Sequence, residues 1–313
     1  MIFTAPRTLT LLALLASPLP VWAFDCTKAS LEDEKEICAT PSLMQLDAVL
    51  NKSYLSARKE ANKERLKTEQ LTWLKERQQC SDDRICLGNS YISRIKALAN
   101  VDNISVINSA SKQWDFVLSV AGCNTDTSYP TCEGPGMLDI FAKGSGKLVQ
   151  QIPAENIFIE LDNKGKATTN LIEMYGDNNS GLVIDDINFD GHDDIALRTG
   201  NEGAYGGPSY AIFLYQPDSK TFVENATLTQ LGSENLGLFG VDSETKTLTT
   251  FTKSGCCWHQ SSIWKIEQNK PELIEEITEE ADISADQPTL LITTRKWVDG
   301  AWQTTQEREI VSD

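Results

Sequence analysis

Turn-forming residues are distributed unevenly along this chain, and that limits what it can fold into. Between residues 24 and 100 there is one glycine, Gly88, and one proline, Pro41, although the chain has 19 Gly and 11 Pro in all. Gly and Pro are the residues that helix interiors exclude, so the first stretch reads as helical. The rest is punctuated often enough to build short strands and turns. Charge divides at the same place. Residues 24–100 carry 13 Lys and Arg against 12 Asp and Glu, a net of +1. From Val101 onward there are 14 against 33, a net of −19.

In the first stretch, Thr40 and Pro41 suit an N-cap and first helical position. Leu43, Leu46, Leu50 and Tyr54 then recur at three- and four-residue steps, which predicts one apolar stripe. Leu66, Gln70, Trp73, Leu74 and Arg77 predict a second helix, and Ile85, Ile92, Ile95 and Leu98 a third. Antiparallel pairing of the first two around the polar connection at 61–64 would bring Cys38 to Cys80 and leave Cys26 to join Cys86. Four cysteines allow three pairings, and this nested one follows from the hairpin geometry.

The motifs F-D-C-T-K-A, E-K-E-I-C, L-x-x-L-D, E-Q-L-T-W-L-K-E-R-Q-Q-C and C-L-x-x-x-Y-x-x-R-I run across residues 24–99. This segment resembles the LprI-type lysozyme inhibitor domain. The resemblance implies a secreted, disulfide-tied helical module associated with blocking muramidases. Taken singly, Trp73, Arg77 and Tyr91 read first as residues of a small core.

The N-terminus agrees with export. Arg7, an apolar run from Leu9 to Ala16 and V-W-A ending at Ala23 read as a signal peptide over residues 1–23, too short to span a bilayer. Eight cysteines, an even number, suit an oxidising compartment, so a secreted or periplasmic location is expected.

In the acidic region, residues 186–194 read D-x-N-x-D-G-x-x-D. Asp186, Asn188 and Asp190 alternate, Gly191 permits a sharp turn, the carbonyl of His192 faces inward and Asp194 closes the ring. Hard oxygens at this spacing are the ligand set of a calcium loop. An EF-hand needs a Glu at the twelfth position and a helix on each side. Here that position is Leu197, and the flanks G-L-V-I and I-A-L-R are strand-like. Calcium between two strands is therefore expected; an acidic turn without metal is the simpler alternative.

A second loop, G-N-E-G-A-Y-G-G-P, surrounds Tyr205 with small residues. A Tyr on such a loop offers large amphipathic contact area at little rotational cost. Glu202, Gly203, Tyr205, Gly206 and Gly207 are the expected partner-binding set, the ion fixing the strand that launches it. A hairpin turn with Tyr205 folded back on the sheet is the alternative. From Gly181 to Tyr215 the chain resembles periplasmic calcium-binding domains related to FG-GAP propellers. That resemblance implies a propeller-like fold and, for some relatives, immunity to lysozyme-like toxins.

The expected architecture is therefore multidomain: an all-α helical hairpin domain over 24–100, then an all-β, propeller-like domain over 101–313. Cys123 and Cys132 read as a hairpin staple, with Cys256 and Cys257 bridged to each other. The alternatives pair these last two with Cys123 and Cys132, or hold a metal together with His259. The chain has two His and no G-x-S-x-G, so no nucleophilic triad is legible, and the acidic balance disfavours nucleic acid. An inhibitor or immunity protein against lysozyme-like glycosidases, and not an enzyme, is the expected function. A calcium-stabilised envelope binding module without inhibitory activity is the alternative, and a hydrolase using some pair of carboxylates is a third class.

Overall fold

The computed structural model describes residues 25–173, 179–282 and 288–310. The signal peptide read over 1–23 lies outside them. A 3-10 turn, Cys26–Lys28, precedes four helices: α1 (Glu32–Ala39), α2 (Pro41–Glu60), α3 (Lys63–Gln78) and α4 (Arg84–Ala99). Fifteen strands follow among the described residues: β1 (Asn103–Ile107), β2 (Trp114–Val120), β3 (Cys123–Asn124), β4 (Thr131–Ala142), β5 (Leu148–Glu160), β6 (Leu182–Asp185), β7 (Asp194–Gly200), β8 (Ser209–Gln216), β9 (Thr221–Glu224), β10 (Gly240–Asp242), β11 (Thr247–Ser254), β12 (Trp258–Glu267), β13 (Lys270–Asp282), β14 (Thr289–Val298) and β15 (Ala301–Ile310). One helix, α5 (Ala226–Ser233), sits between β9 and β10.

Capping residues explain where the helices start. Asn62 and Asp83 have extended backbones and accept from the first free N–H groups of α3 and α4, and Pro41 opens α2. Asn100 ends α4 in the left-handed conformation.

The hairpin expectation for the helices is corrected. α2 packs along α4, with few approaches to α3. The short α1, which no stripe in the sequence announces, places Cys38 opposite Cys26, and the tight turn after α3 places Cys80 opposite Cys86. The bridges are Cys26–Cys38 and Cys80–Cys86, with Cα separations of 5.7 and 5.5 Å; Cys38–Cys80 and Cys26–Cys86 do not form. Ile85, expected on the apolar stripe of α4, is 77% exposed.

The strands form three antiparallel sheets. In the first, β4 is flanked by β2 and then β3 along one edge and by β5 along the other, with β1 outside β2. The second runs β6-β7-β8-β9 and the third is the meander β10 to β15. These are open sheets in a stack, with no closed barrel or propeller among the described residues, which corrects the propeller-like expectation. The sequence of the inner strands shows why. β2 and β7 are buried along nearly their whole length, so both faces need a cover.

Alternation along β2 shows the layering. Phe116, Leu118 and Val120 join Leu138, Ile140, Ile157 and Ile159 against Leu182, Ile184, Ile195 and Leu197 of the second sheet. Val117, on the opposite face, joins Ile104 and Phe141 in packing under Leu46, Leu50, Leu87, Tyr91 and Ile95 of the helices. The far face of the second sheet, through Ala196, Ile212 and Leu214, covers Leu228, Leu231, Phe239 and Leu248. Helices, sheet, sheet, then α5 with the base of the third sheet make four layers. The helical segment thus has no core of its own apart from the sheet it lies on.

The helix–sheet seam also holds polar groups. Gln45 donates through Nε2 to Asp115 Oδ2 (3.1 Å), and Lys143 pairs with Asp115 Oδ1 (3.0 Å). Asp139, 1% exposed, accepts from Gln151 Nε2 (2.6 Å). Burial raises its pKa to about 6, against the lowering effects of that hydrogen bond and of Lys52.

Candidate functional site

Three constellations carry the residues singled out by the sequence. The first is buried in the helices. Trp73, Arg77 and Tyr91 come together with two carboxylates that the sequence reading did not single out. Arg77 donates through Nε and Nη2 to Asp33 Oδ2 (3.0 and 2.9 Å) and through Nη1 to Tyr91 Oη (3.1 Å). Tyr91 in turn donates to Asp47 Oδ1 (2.8 Å). The guanidinium lies 5.5 Å from the Trp73 ring centroid, and the two rings meet edge-on at 5.3 Å. Asp33 is 2% and Arg77 5% exposed. Burial raises the pKa of Asp47, opposed by Tyr91 and Arg77, and burial followed by the Asp47 charge raises that of Tyr91. The motif residues here are interior or half-buried groups in contact with one another. Asp47 stands in the L-x-x-L-D motif, whereas Asp33 lies just outside the E-K-E-I-C motif that begins at Glu34.

The second is the acidic loop. β6 and β7 pair up to Asp185 opposite Asp194, so residues 186–193 form the connection of a hairpin. Asp186 accepts with Oδ1 from Asp190 N and with Oδ2 from Gly191 N, both at 2.9 Å. Asp190 Oδ1 accepts from His192 N (2.9 Å), and Asn188 Oδ1 from Asp190 N (3.2 Å). Phe189 (φ 62) and Gly191 (φ 90) take left-handed backbones to wind the turn. Asn188 also donates to Asn269 Oδ1 (3.0 Å) in the β12–β13 turn, which ties the loop to the third sheet.

Asp194 takes a different part. Its carboxylate is fully buried and accepts from Ile187 N (3.0 Å), Asn188 N (3.3 Å) and Tyr215 N (2.8 Å). Burial raises its pKa to about 7, the three N–H groups opposing and the Asp190 charge adding to the rise. It braces the loop from beneath. Among the described residues, no group of three or more His, Cys, Asp or Glu converges as if around an ion.

The third is the loop at 202–207. Gly203 is required, because a Cβ there would lie 2.9 Å from the carbonyls of Gly207 and Pro208. Glu202 accepts from Ser209 Oγ (2.7 Å). Ala204–Gly206 make one 3-10 turn in which Tyr205 itself has φ 58 and Gly206 φ 71. Tyr205 is 65% exposed. Its hydroxyl accepts from Gly255 N (3.1 Å), and Lys253 Nζ lies 5.2 Å from its ring centroid. Gly255 and Lys253 belong to the end of β11 and the turn that follows, where Cys256 and Cys257 are bridged to each other. Cys123 and Cys132 are bridged across the β3–β4 pair. The acidic loop and the Tyr205 loop are separate surfaces joined by strand β7.

A shallow groove of about 370 Å³ lies between α3 and α4, lined by Glu69, Thr72, Trp73, Glu76 and Arg94 among others. No helix among the described residues is long and apolar enough to cross a membrane.

Comparison with known proteins bears on the first constellation. Residues 26–103 match the family model described as Lysozyme inhibitor LprI. The match ends where the first strand begins, so it covers the helical module and not the β region. A solved chain described as a Xanthomonas Type IV Secretion System related protein is 26% identical, over 68% of this chain and all of its own, with a TM-score of 0.46. No curated protein matches this chain.

Proposed function

We propose that this protein is a secreted or periplasmic inhibitor of lysozyme-like peptidoglycan glycosidases, acting as an immunity protein toward them. The observation that carries the reading is the match of residues 26–103 to the lysozyme-inhibitor family. Four disulfides and no free cysteine among the described residues suit the oxidising compartment in which such a partner is met. Lysozyme-like enzymes are typically basic with a carboxylate-lined cleft. A region carrying 14 basic against 33 acidic residues attracts their outer surface and speeds encounter.

The contact itself is assigned to the Tyr205 loop. Because the phenol oxygen accepts from Gly255 N–H, its own proton is left to donate outward. A carboxylate in a sugar-binding cleft is the acceptor that group fits, while the exposed ring packs on the cleft wall. Gly206 and Gly207 add no side chains to obstruct the approach, and Glu202 faces a basic rim.

Calcium is proposed as a structural ion. The donor chemistry fits: side-chain oxygens of Asp186, Asn188 and Asp190 and the carbonyl of His192 are all hard ligands. Asp194, already accepting three N–H groups, holds the loop in shape and has little oxygen left to offer. The ion would neutralise like charges at the base of β7. Loss of turbidity in a cell-wall suspension tests the whole reading. The protein slows clearing by added lysozyme if it is an inhibitor, changes nothing if it is only an envelope binding module, and clears the suspension unaided if it is a hydrolase.

A further inference from the structure

The Cys256–Cys257 bridge does little for global stability, for a reason visible in the sequence. A disulfide stabilises chiefly by closing a loop in the unfolded chain, the more so the longer the loop. This one joins neighbours at a separation of one residue and closes none. What it restricts is the backbone of the β11–β12 turn, between the last paired residues Ser254 and Trp258.

That turn is where Tyr205 rests. Gly255, with φ 68, supplies the N–H that reaches Tyr205 Oη, and Cys257 O accepts from Ala281 N (2.7 Å), fixing the turn to β13. Tyr205 reaches this contact from a left-handed backbone that non-glycine residues rarely adopt. Lys253, half-buried beside the ring, places a cation within reach of the same patch. In a region of strong negative charge, this patch offers one hydroxyl proton and one ammonium.

We infer that the 202–207 loop and the 253–257 turn form one recognition surface. In it Lys253 is a second contact residue, and the Cys256–Cys257 bridge is a positioning element for Tyr205. The inference rests on the function proposed above and names the partner chemistry more closely. A phenol donor and an ammonium, held side by side, fit a concave site containing two carboxylates. The bridge itself is expected from the adjacent cysteines, but that it and Lys253 lie beside Tyr205 is not marked by sequence spacing, since they are about fifty residues away.

The test uses the full chain with 13C-labelled tyrosine, the Tyr205 ring signals being assigned through Tyr205→Phe. In Cys256→Ala/Cys257→Ala the ring signals move toward averaged, solvent-like values, while the melting temperature stays within about 2 °C of wild type. Against a basic lysozyme, calorimetry gives about tenfold weaker binding for this variant, and no further loss when Tyr205→Ala is already present. Lys253→Ala weakens binding about tenfold as well, and Lys253→Arg restores most of it, because charge and reach are kept. Unchanged ring signals in the double cysteine variant overturn the positioning role, and additive losses with Tyr205→Ala overturn the shared surface. If wild type binds no lysozyme, the proposed function fails, yet the ring signals still decide whether the bridge positions Tyr205.

Discussion

The helical module and the 186–194 loop each concentrate aspartates, and they satisfy them in opposite ways. In the helices, Asp33 meets the Arg77 guanidinium directly and Asp47 meets it through Tyr91, so negative charge is paired with positive inside the protein. In the loop, Asp186, Asp190 and Asp194 accept only from backbone N–H groups and an Asn amide. The first arrangement is complete without a ligand. In the second, the aspartates shape a loop and meet no Lys or Arg in an ion pair among the described residues, and that uncompensated like charge is the ground on which calcium is proposed. The difference separates charge that is neutralised by a side-chain cation from charge that is held only by backbone and amide dipoles.

The largest effect should come from breaking the complete arrangement. Arg77→Ala strands Asp33 in the interior, and removing one partner of a buried pair costs about 3–5 kcal/mol. The denaturant midpoint should fall accordingly. A loss under 1 kcal/mol would mean that water reaches Asp33 and the network is not sealed.

Asp139, buried between α2 and the first sheet, has no cation in contact, and its pKa near 6 gives a pH signature. Its folded value is above the ordinary carboxylate value, so the folded state keeps the proton as the unfolded chain loses it. Stability therefore falls as pH rises from about 4 to about 6, by roughly 3 kcal/mol for a two-unit shift, and stays lower above that. Asp139→Asn keeps the acceptor for Gln151 and should flatten this decline in urea titrations between pH 4 and 7. A variant with an unchanged slope would assign the pH dependence elsewhere.

The incomplete arrangement should answer to metal. At a free calcium concentration about a hundred times Kd, a site present only in the folded state stabilises by about 2.7 kcal/mol. The melting temperature should drop with chelator and recover with excess calcium. Asp186→Ala should abolish that response. Indifference to both, with no metal by elemental analysis, would leave an acidic turn.

Some of this was legible in sequence because it depends on near neighbours. The scarcity of Gly and Pro before residue 100 located the helices, and the flanks of the acidic loop identified β6 and β7. What was missed depends on packing across the molecule. The pairing of Cys26 with Cys38 needs α1, an eight-residue helix with only Ile37 as a buried apolar anchor. Ile85 looked like core until α4 turned its other face to α2 and the sheet. The layered stack in place of a propeller follows from which faces are covered, and alternation within one strand does not specify its cover. The part of Asp194 as a brace, and the lock on Tyr205 from Lys253 and Gly255, are contacts between segments far apart in the chain.

The central claim is that an exposed Tyr205, held on a rigid turn, is what this protein presents to a lysozyme-like glycosidase. Calorimetric titration of wild type and Tyr205→Ala against a basic lysozyme tests it most directly. The account predicts saturable one-site binding by wild type and a loss of at least about 2 kcal/mol in the variant, close to thirtyfold in Kd. Melting temperature and calcium response should be the same for both. Equal affinities, or no heat of binding with wild type, would contradict it.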